Sequence, residues 1–190
     1  MTTIPDLGAE RLTAARLTSL ARELGDLLID AVDDGASIGF LTGLDDESAA
    51  RWWRDRAADV AAGRVATWAV RESGRVTGTV SLAFADKPNA RHRAELVKLL
   101  VHREARGRGL GRALLTLAER EAARAGLTLL LLDTETDSPA ETLYVTAGWT
   151  RVGVVPDHAA DPAGVPRPST FFYKSLVQGP DGALDQERQP

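Results

Sequence analysis

Cysteine is absent from this chain of 190 residues. Without cysteine the chain can form no disulfide bond, no thiolate nucleophile and no thiolate zinc site, so catalysis cannot pass through an acyl-cysteine. Long apolar runs are also missing, because a run such as residues 129–132 is far too short to span a bilayer. Residues 1–6 carry neither a basic region nor an apolar core, which disfavours a secretory signal. We therefore expect a cytoplasmic protein with no membrane partner.

An excess of positive charge is the second missing feature. The chain has 27 acidic and 23 basic residues and a net charge of −4, which argues against general affinity for nucleic acid.

The histidines at 92, 102 and 158 have no metal-ligand spacing, and we interpret them as surface or loop residues. No Gly-x-Ser-x-Gly elbow is present, so a Ser-His-Asp set has no support. The sequence therefore predicts neither a metal site nor a serine hydrolase.

Apolar residues recur at intervals of three and four in two early segments. The first predicts a helix over residues 17–31 that ends at residues 33–35. The second predicts a helix over residues 49–61, in which Trp52 and Trp53 are packing residues. A chain of this length can bury a substantial core without disulfides or metals, so we expect one compact domain.

Alternating and apolar runs predict a sheet in the rest of the chain. The strand from residue 95, an amphipathic helix and the strand from residue 127 form a βαβ unit, whose strands should be parallel. The second strand is expected to be a half-buried hairpin strand, and a Pro- and Gly-rich loop over residues 156–168 should join the last two strands. After residue 176 the composition predicts a disordered tail, residues 177–190. The predicted strands are residues 65–70, 75–84, 95–101, 127–134, 150–155 and 169–176.

The most informative motif is Arg106-Gly107-Arg108-Gly109-Leu110-Gly111-Arg112, which lies between a predicted strand and the amphipathic helix. Glycines at such a turn allow backbone conformations closed to other residues and a close approach to a ligand. The first N–H groups of the helix lack intrahelical partners and, with the helix dipole behind them, suit a phosphate. Three arginines surround the turn and Arg103 lies just upstream. The motif predicts a bound polyphosphate.

Three other interpretations of the turn have to be weighed. A nucleoside-triphosphate loop needs a Lys-Ser/Thr pair after its last glycine, whereas Arg112-Ala113 follows Gly111. A dinucleotide fingerprint needs a third glycine or alanine where this chain has Arg112, although Asp133 imitates its acidic residue. A glycine-rich connector with solvated arginines needs no ligand at all. The first interpretation fails on its motif, and the other two stay open on the turn alone.

The flanking segments resemble the Gcn5-related N-acetyltransferase (GNAT) family, whose signature is Gln/Arg-x-x-Gly-x-Gly/Ala at a strand-to-helix turn. Arg106, Gly109 and Gly111 match that signature. The likeness continues through the apolar strand at residues 127–134, through Ser138–Tyr144, where the family carries a helix with a tyrosine, and through Gly148-Trp149. It covers residues 65–176, which form the core motif region.

The resemblance implies an α/β (α+β mixed) fold. A single GNAT-like N-acetyltransferase domain is expected over residues 1–176, with a mixed, mostly antiparallel central sheet. That sheet should contain one parallel, splayed strand pair and should carry helices on both faces. A homodimer is common among relatives of this family.

The resemblance also implies acetyl-CoA as cosubstrate, with no metal. In the family the turn's amides hold the pyrophosphate, and the preceding strand offers main-chain groups to the pantetheine and the acetyl carbonyl. The residues expected to bind acetyl-CoA are Leu99, Leu100, Val101, Arg106, Gly107, Arg108, Gly109, Leu110, Gly111, Arg112, Ser138 and Ala140.

The implied reaction is attack of an amine on the acetyl thioester without a covalent enzyme intermediate. Tyr144 matches the family's tyrosine and is the expected acid, because a phenol of pKa about 10 is still protonated when a thiolate of pKa about 8.5 leaves. Glu95 or Asp133 is the expected base, and burial would raise its pKa toward that task. The main-chain N–H of Leu100 or Val101 would stabilise the oxyanion. Simple packing of Tyr144, and a solvated strand end or an ion pair for the two carboxylates, are the alternatives.

The early loop, with Ser37 and Gly39, resembles the subgroup that includes the tabtoxin-resistance acetyltransferase. The resemblance implies an acceptor that is a small amino-acid-like or antibiotic-like amine, bound by Ser37, Gly39 and Asp133. Acidic residues at 30, 33, 34 and 133 are also expected to attract a cationic amine, or to form a solvated acidic face. Two alternatives stay open: acetylation of a protein N-terminus or lysine, and a non-catalytic acyl-CoA-binding sensor.

Overall fold

The N-terminal apolar stripe folds as two helices rather than one. In the computed structural model, which describes residues 8–177, α1 spans Ala14–Ser19 and α2 spans Ala21–Asp33. Leu20 lies between them with φ −94° and ψ 3°, outside the helical region, so the predicted single helix over residues 17–31 is wrong at this residue. The apolar stripe is buried all the same, since its period continues across the break.

The second predicted helix is also interrupted. Helix α3 spans Asp46–Asp55 and α4 spans Ala57–Ala61, with Arg56 between them. The packing prediction is confirmed for Trp53, which is 1% exposed and whose Nε1 donates to the Leu24 carbonyl at 3.0 Å. That bond joins α3 to α2 in the core.

One seven-stranded sheet runs in the order β1-β2-β3-β4-β5-β7-β6. In the described chain only β4 and β5 pair in parallel and the other neighbours are antiparallel, which confirms the expected mixed sheet. The short first strand was not predicted. The strands are β1 Glu10–Arg11, β2 Val65–Glu72, β3 Arg75–Phe84, β4 Arg93–Val101, β5 Leu129–Glu135, β6 Thr150–Ala160 and β7 Pro166–Ser175.

Helices cover both faces of this sheet, as expected. Helices α5 (Leu110–Arg124) and α6 (Pro139–Thr146) pack on one face, here called the α5 face. Helices α1 to α4 pack on the other, here called the α2 face. Strand β3 is therefore buried throughout residues 76–82, and the prediction of a half-buried strand is wrong because no solvent reaches either side of it.

Two later boundaries also differ from the prediction. Strands β6 and β7 extend to Ala160 and from Pro166, so the predicted loop over residues 156–168 is a long hairpin with a short turn. The predicted tail, residues 177–190, lies outside the described residues apart from Val177 and stays a prediction. Within the described range, each helix is too short or too polar to cross a membrane.

Candidate active site

The sheet opens between its two parallel strands. Strands β4 and β5 pair only from Arg93↔Leu129 to Glu95↔Leu131, although β4 runs on to Val101 and β5 to Glu135. A bulge accompanies the opening, because the register of β4 against β3 shifts near Lys98, whose φ is +52°. The expected splay is therefore present, and it leaves a gap between the two strands.

The bulge changes which face each β4 residue meets. Leu96 belongs to the apolar cluster on the α5 face, whereas Leu100 belongs to the cluster on the α2 face. A regular strand would place residues four apart on the same side. The extra residue at the bulge therefore turns the backbone of residues 98–101 at the gap.

The glycine turn has the geometry that the motif predicts. Gly107 and Gly109 have φ values of +73° and +80°, where an L side chain is strained, and Gly109 directly precedes α5. The N–H groups of Leu110, Gly111 and Arg112 find no acceptor among the described residues. Free donors therefore stand at the positive end of a 15-residue helix.

The arginines of the turn are not free. Arg106 pairs with Asp34, Arg103 pairs with Asp30, and each of these bonds joins the turn to the end of α2. The Arg106 hydrogen bond lowers the pKa of Asp34. The prediction that Asp30 and Asp34 attract a cationic amine is therefore wrong, because both carboxylates already face a guanidinium.

The remaining arginines are held in the same way. Arg108 Nη2 lies 2.7 Å from Glu72 Oε2, and Arg112 Nη2 donates to Thr146 Oγ1 at 2.7 Å. Apart from Arg112, the positive charges around the turn are balanced within the chain. An anion at this turn would therefore meet free backbone N–H groups more than free guanidinium groups, in contrast to what the sequence suggested.

Glu95 and Asp133 lie on the α2 face of the gap. Their neighbours Leu96 and Leu132 pack on the α5 face, and alternation along a strand places the two carboxylates on the opposite side. Burial, and then the charge of Asp133, raise the pKa of Glu95. Within the described chain neither carboxylate pairs with an arginine or a lysine. Two acidic groups without an arginine or lysine ion-pair partner therefore face this side of the gap, with the charges of Arg93 and Lys98 near enough to oppose the rise in the Glu95 pKa.

Tyr144 approaches from the α5 face. Ser138 caps α6 by accepting from Glu141 N at 3.2 Å, Pro139 opens the helix, and Tyr144 follows one turn later. Its side chain is 6% exposed, yet its hydroxyl has no hydrogen-bond partner in the described chain. In the described chain, Arg56 Nε is the only side-chain nitrogen or oxygen that is both buried and without a hydrogen-bond partner. The Tyr144 hydroxyl, which also has no partner, is therefore still accessible to solvent.

The protonation state of Tyr144 follows from this placement. Burial, and then the charge of Asp133, raise the pKa of the phenol above its usual range. The group stays protonated at neutral pH. An available O–H donor therefore stands near the gap.

His158 lies beside Asp133; it is exposed, as expected for a surface residue, but it belongs to a strand rather than a loop. It lies in β6, and its Nδ1 is 3.1 Å from Ser169 Oγ and 3.7 Å from Asp133 Oδ2. Both neighbours use the same ring nitrogen, whereas a Ser-His-Asp relay needs the two nitrogens separately. Ser169 is moreover 3% exposed. The arrangement is a contact between β6, β7 and Asp133 rather than a triad.

Residues 34–44, here called the roof segment, cover the α2 side of the gap. Ser37 Oγ donates to the Ala160 carbonyl at 2.9 Å, and Thr42 N donates to the Pro162 carbonyl at 2.8 Å. Gly39 has a φ of +91° and open space where a side chain would begin. The segment is thereby tied to the β6–β7 hairpin, and the Ser37 hydroxyl is already engaged.

Lys98 is the site residue that the sequence analysis missed. Its Nζ donates to the Ile38 carbonyl at 2.9 Å and lies 5.3 Å and 5.8 Å from the ring centres of Trp52 and Phe40. Burial lowers its pKa. The available signal was a lysine in the middle of the apolar run at residues 96–101. Among the described residues, no group of three or more His, Asp or Glu side chains is placed to hold a metal ion.

Solved structures of other proteins share this fold. The ribosomal-protein-alanine N-acetyltransferase of Brucella melitensis is 26% identical with a TM-score of 0.69, and the match covers 88% of this chain and 98% of that one. Salmonella typhimurium yncA, whose structure contains its cofactor acetyl-CoA, is 23% identical with a TM-score of 0.69 over 92% and 98% of the chains. Aminoglycoside 6'-acetyltransferase type Ii is 19% identical with a TM-score of 0.66 over 90% and 99%. The last two likenesses show the fold alone.

The sequence itself matches a family profile. The profile of the Acetyltransferase (GNAT) family covers residues 12–149, which is well over half of the 190 residues. The match includes the glycine turn, the splayed strands and Tyr144. The chain therefore belongs to the GNAT family of acetyltransferases.

Proposed function

We propose that this chain transfers an acetyl group from acetyl-CoA to the primary amine of a small molecule, by direct attack within a ternary complex. The observation that carries the proposal is the gap between β4 and β5. Free N–H donors and a protonated phenol reach it from the α5 face. Two carboxylates without an arginine or lysine ion-pair partner reach it from the α2 face. A thioester and an amine can therefore meet there from opposite sides.

Acetyl-CoA would be held along α5 and the end of β4. Its pyrophosphate fits the backbone of residues 107–112, where positive φ values and free N–H groups leave room for an anion. Residues 99–101 offer main-chain groups at the gap, and Ser138 and Ala140 lie at the start of α6. Acetyl-CoA, when bound, supplies the acetyl thioester.

The chain's own residues would move the protons. Glu95 or Asp133 would accept a proton from the ammonium form of the acceptor, and the raised pKa of Glu95 suits that task near neutral pH. Tyr144 would donate to the departing sulfur. The N–H of Leu100 or Val101 would face the developing oxyanion, because the bulge turns this backbone at the gap.

Charge supports a small cationic acceptor. Glu95 and Asp133 would attract an ammonium group, and the roof segment that lies beside them is tied to the β6–β7 hairpin. Ser37 and Gly39 would line this side, with Ser37 acting through its backbone while its hydroxyl holds Ala160. The likeness to the tabtoxin-resistance subgroup is part of this proposal, as are a cytoplasmic location and a homodimer.

A peptide acceptor is the second candidate. Strand β6 lies at the edge of the sheet, and Val152 and Val154 are 67% and 43% exposed there. An extended peptide can add to such an edge. The Brucella melitensis relative, by its name, acts on a ribosomal-protein alanine. A sensor that binds acyl-CoA without turnover would need neither carboxylate.

The experiment is a competition in one reaction. Purified protein and acetyl-CoA are incubated with equimolar amino acids, β-lactam amines, polyamines, aminoglycosides and peptides with free N-termini, and products are identified by mass spectrometry. We expect the acetyl group on a small amine. Acetylation of peptides alone would favour the second candidate, and acetyl-CoA binding without any product would favour the sensor.

A further inference from the structure

Lys98 has a backbone conformation that is unfavourable for lysine. Its φ of +52° lies in the left-handed region, which is strained for residues with a side chain. The strain is sustained by the bulge, because the Lys98 carbonyl accepts from Thr79 Oγ1 at 2.8 Å. The backbone thus aims this one long side chain out of the reacting strand and across the α2 face.

The ammonium group contacts the roof segment and forms no ion pair, although the charges of Asp133 and then Glu95 act on it and oppose the effect of burial on its pKa. Its contacts are the Ile38 carbonyl at 2.9 Å and the rings of Phe40 and Trp52. Phe40 and Trp52 themselves meet edge to face at 5.5 Å. Among the described residues Lys98 forms no ion pair, so a carbonyl and two aromatic faces hold the charge.

This contact differs from the other attachments of the roof segment. Ser37 and Thr42 bond to Ala160 and Pro162, which belong to the β6–β7 hairpin and its turn. Lys98 instead joins the segment to β4, the strand that carries Glu95. Lys98 is therefore the polar contact between the middle of the roof segment and β4, beside the packing of Ile38 and Phe40 against the apolar cluster of the α2 face.

We propose that Lys98 is a positioning residue that sets acceptor specificity: it fixes Ile38 and Phe40 over the cleft, so that a short amine fits beneath them. The inference extends the proposed function and depends on it. Removing the ammonium group should release the middle of the roof segment and loosen the hydrogen bonds of Ala36 N and Thr42 N at its two ends. The acceptor would then be held loosely, and the binding of acetyl-CoA on the α5 face would be unchanged.

The first test uses no acceptor. Hydrogen exchange of residues 36–42 is measured by mass spectrometry in wild type, Lys98→Met and Lys98→Arg, with Lys87→Met, an exposed loop lysine, as matched control. In Lys98→Met we expect about tenfold faster exchange of the Ala36 and Thr42 amides, which donate to the Ala31 and Pro162 carbonyls, because the segment between them loses a hydrogen bond to a charged group. Lys98→Arg should restore protection, since a guanidinium can donate to the carbonyl and stack on the rings. Equal exchange in wild type and Lys98→Met overturns the proposal.

The second test measures kinetics with the amine that wild type acetylates. For Lys98→Met we expect the acceptor KM to rise about tenfold, with kcat within about threefold of wild type and recovery in Lys98→Arg. A collapse of kcat at normal exchange would mean that Lys98 takes part in the chemistry, which overturns a positioning role. An unchanged KM despite faster exchange overturns the claim about specificity.

Phe40→Leu supplies an independent variant if Lys98→Met does not fold. It removes the ring on the roof side and leaves β4 intact, so acceptor KM should rise in the same direction. The effects of the two substitutions should be less than additive in the double variant, because both remove one contact. If wild type binds acetyl-CoA but acetylates nothing, the proposed function fails. The exchange result still shows whether Lys98 holds the roof segment.

Discussion

Tyr144 is buried, and its hydroxyl has no hydrogen-bond partner in the described chain. A tyrosine that only packs would lose little as phenylalanine, since the ring contacts with Trp149 and Phe172 remain. A tyrosine that donates a proton would lose activity. Single-residue variants can therefore separate the two roles.

We predict that Tyr144→Phe lowers kcat about a hundredfold, the usual contribution of a general acid, and leaves the affinity for acetyl-CoA within about twofold. Steady-state kinetics and calorimetry measure both. Tyr173→Phe is the matched control, because Tyr173 is the second of the two tyrosines and lies in β7. Wild-type turnover in Tyr144→Phe would show that the acid is another group.

The ionisation of Glu95 or Asp133 gives a prediction for the pH dependence of kcat/KM. A base must be ionised to act, so kcat/KM should fall as the pH drops through the pKa of that base, which for Glu95 lies above its ordinary value. If Glu95 is the base, Glu95→Gln removes this acid limb. Asp133→Asn then shifts the limb to lower pH, because the charge that raises the Glu95 pKa is gone.

If Asp133 is the base, Asp133→Asn removes the acid limb and Glu95→Gln retains it. Asp86→Asn, in an exposed loop, is the control and should move nothing. An acid limb that stays in place in both carboxylate variants would rule out this pair as the base.

At the scale of elements, the turn before α5 joins the cofactor side to the acceptor side. Its backbone offers donors, while Arg106 reaches back to Asp34 at the start of the roof segment. A bound pyrophosphate and Asp34 would compete for the same guanidinium. The backbone donors and the Arg106–Asp34 pair can both be tested by measuring the binding of acetyl-CoA alone.

Gly109→Val should weaken acetyl-CoA binding at least about tenfold, because the φ of +80° is strained for valine and the turn would relax. Gly74→Val is the matched control. Gly74 has a φ of +85° with nothing near its missing side chain, but it lies in the β2–β3 turn. Both variants should lose similar thermal stability, and equal dissociation constants on calorimetry would contradict the assigned turn.

Asp34→Asn should tighten acetyl-CoA binding by about two- to fivefold at low salt, since it frees Arg106 from an exposed ion pair. The gain should shrink as salt increases. Asp33→Asn is the control, because Asp33 is exposed and forms no ion pair in the described chain. Weaker binding in Asp34→Asn would mean that the pair holds Arg106 in its binding position.

The sequence predicted those elements whose formation depends on the local residue pattern. The βαβ unit, the cap-and-proline start of α6 and the glycine turn were all visible as spacing. The break at Leu20 and the extension of β6 to Ala160 were not, because tertiary packing and pairing with β7 decide them. The pairing of Arg103, Arg106 and Arg108 with carboxylates far along the chain could not be predicted either.

At the scale of the whole molecule, the proposed function assigns a different task to each face of the sheet. The α5 face carries the glycine turn and the phenol, the α2 face carries the carboxylates and the roof, and the gap between β4 and β5 connects them. Sequence pattern indicated the family and most of the cofactor side. The acceptor side was harder to predict, because Lys98, His158 and the roof segment come together only in the folded chain.

The most direct test of this account follows product and CoA together. Wild-type protein is mixed with acetyl-CoA and the pooled amines, and both acetylated amine and free CoA are quantified by mass spectrometry. The account predicts one CoA released for each acetylated small amine, with no acetyl group left on the protein. Acetyl-CoA that stays intact beside every amine, or an acetylated protein that forms before any product, would contradict it.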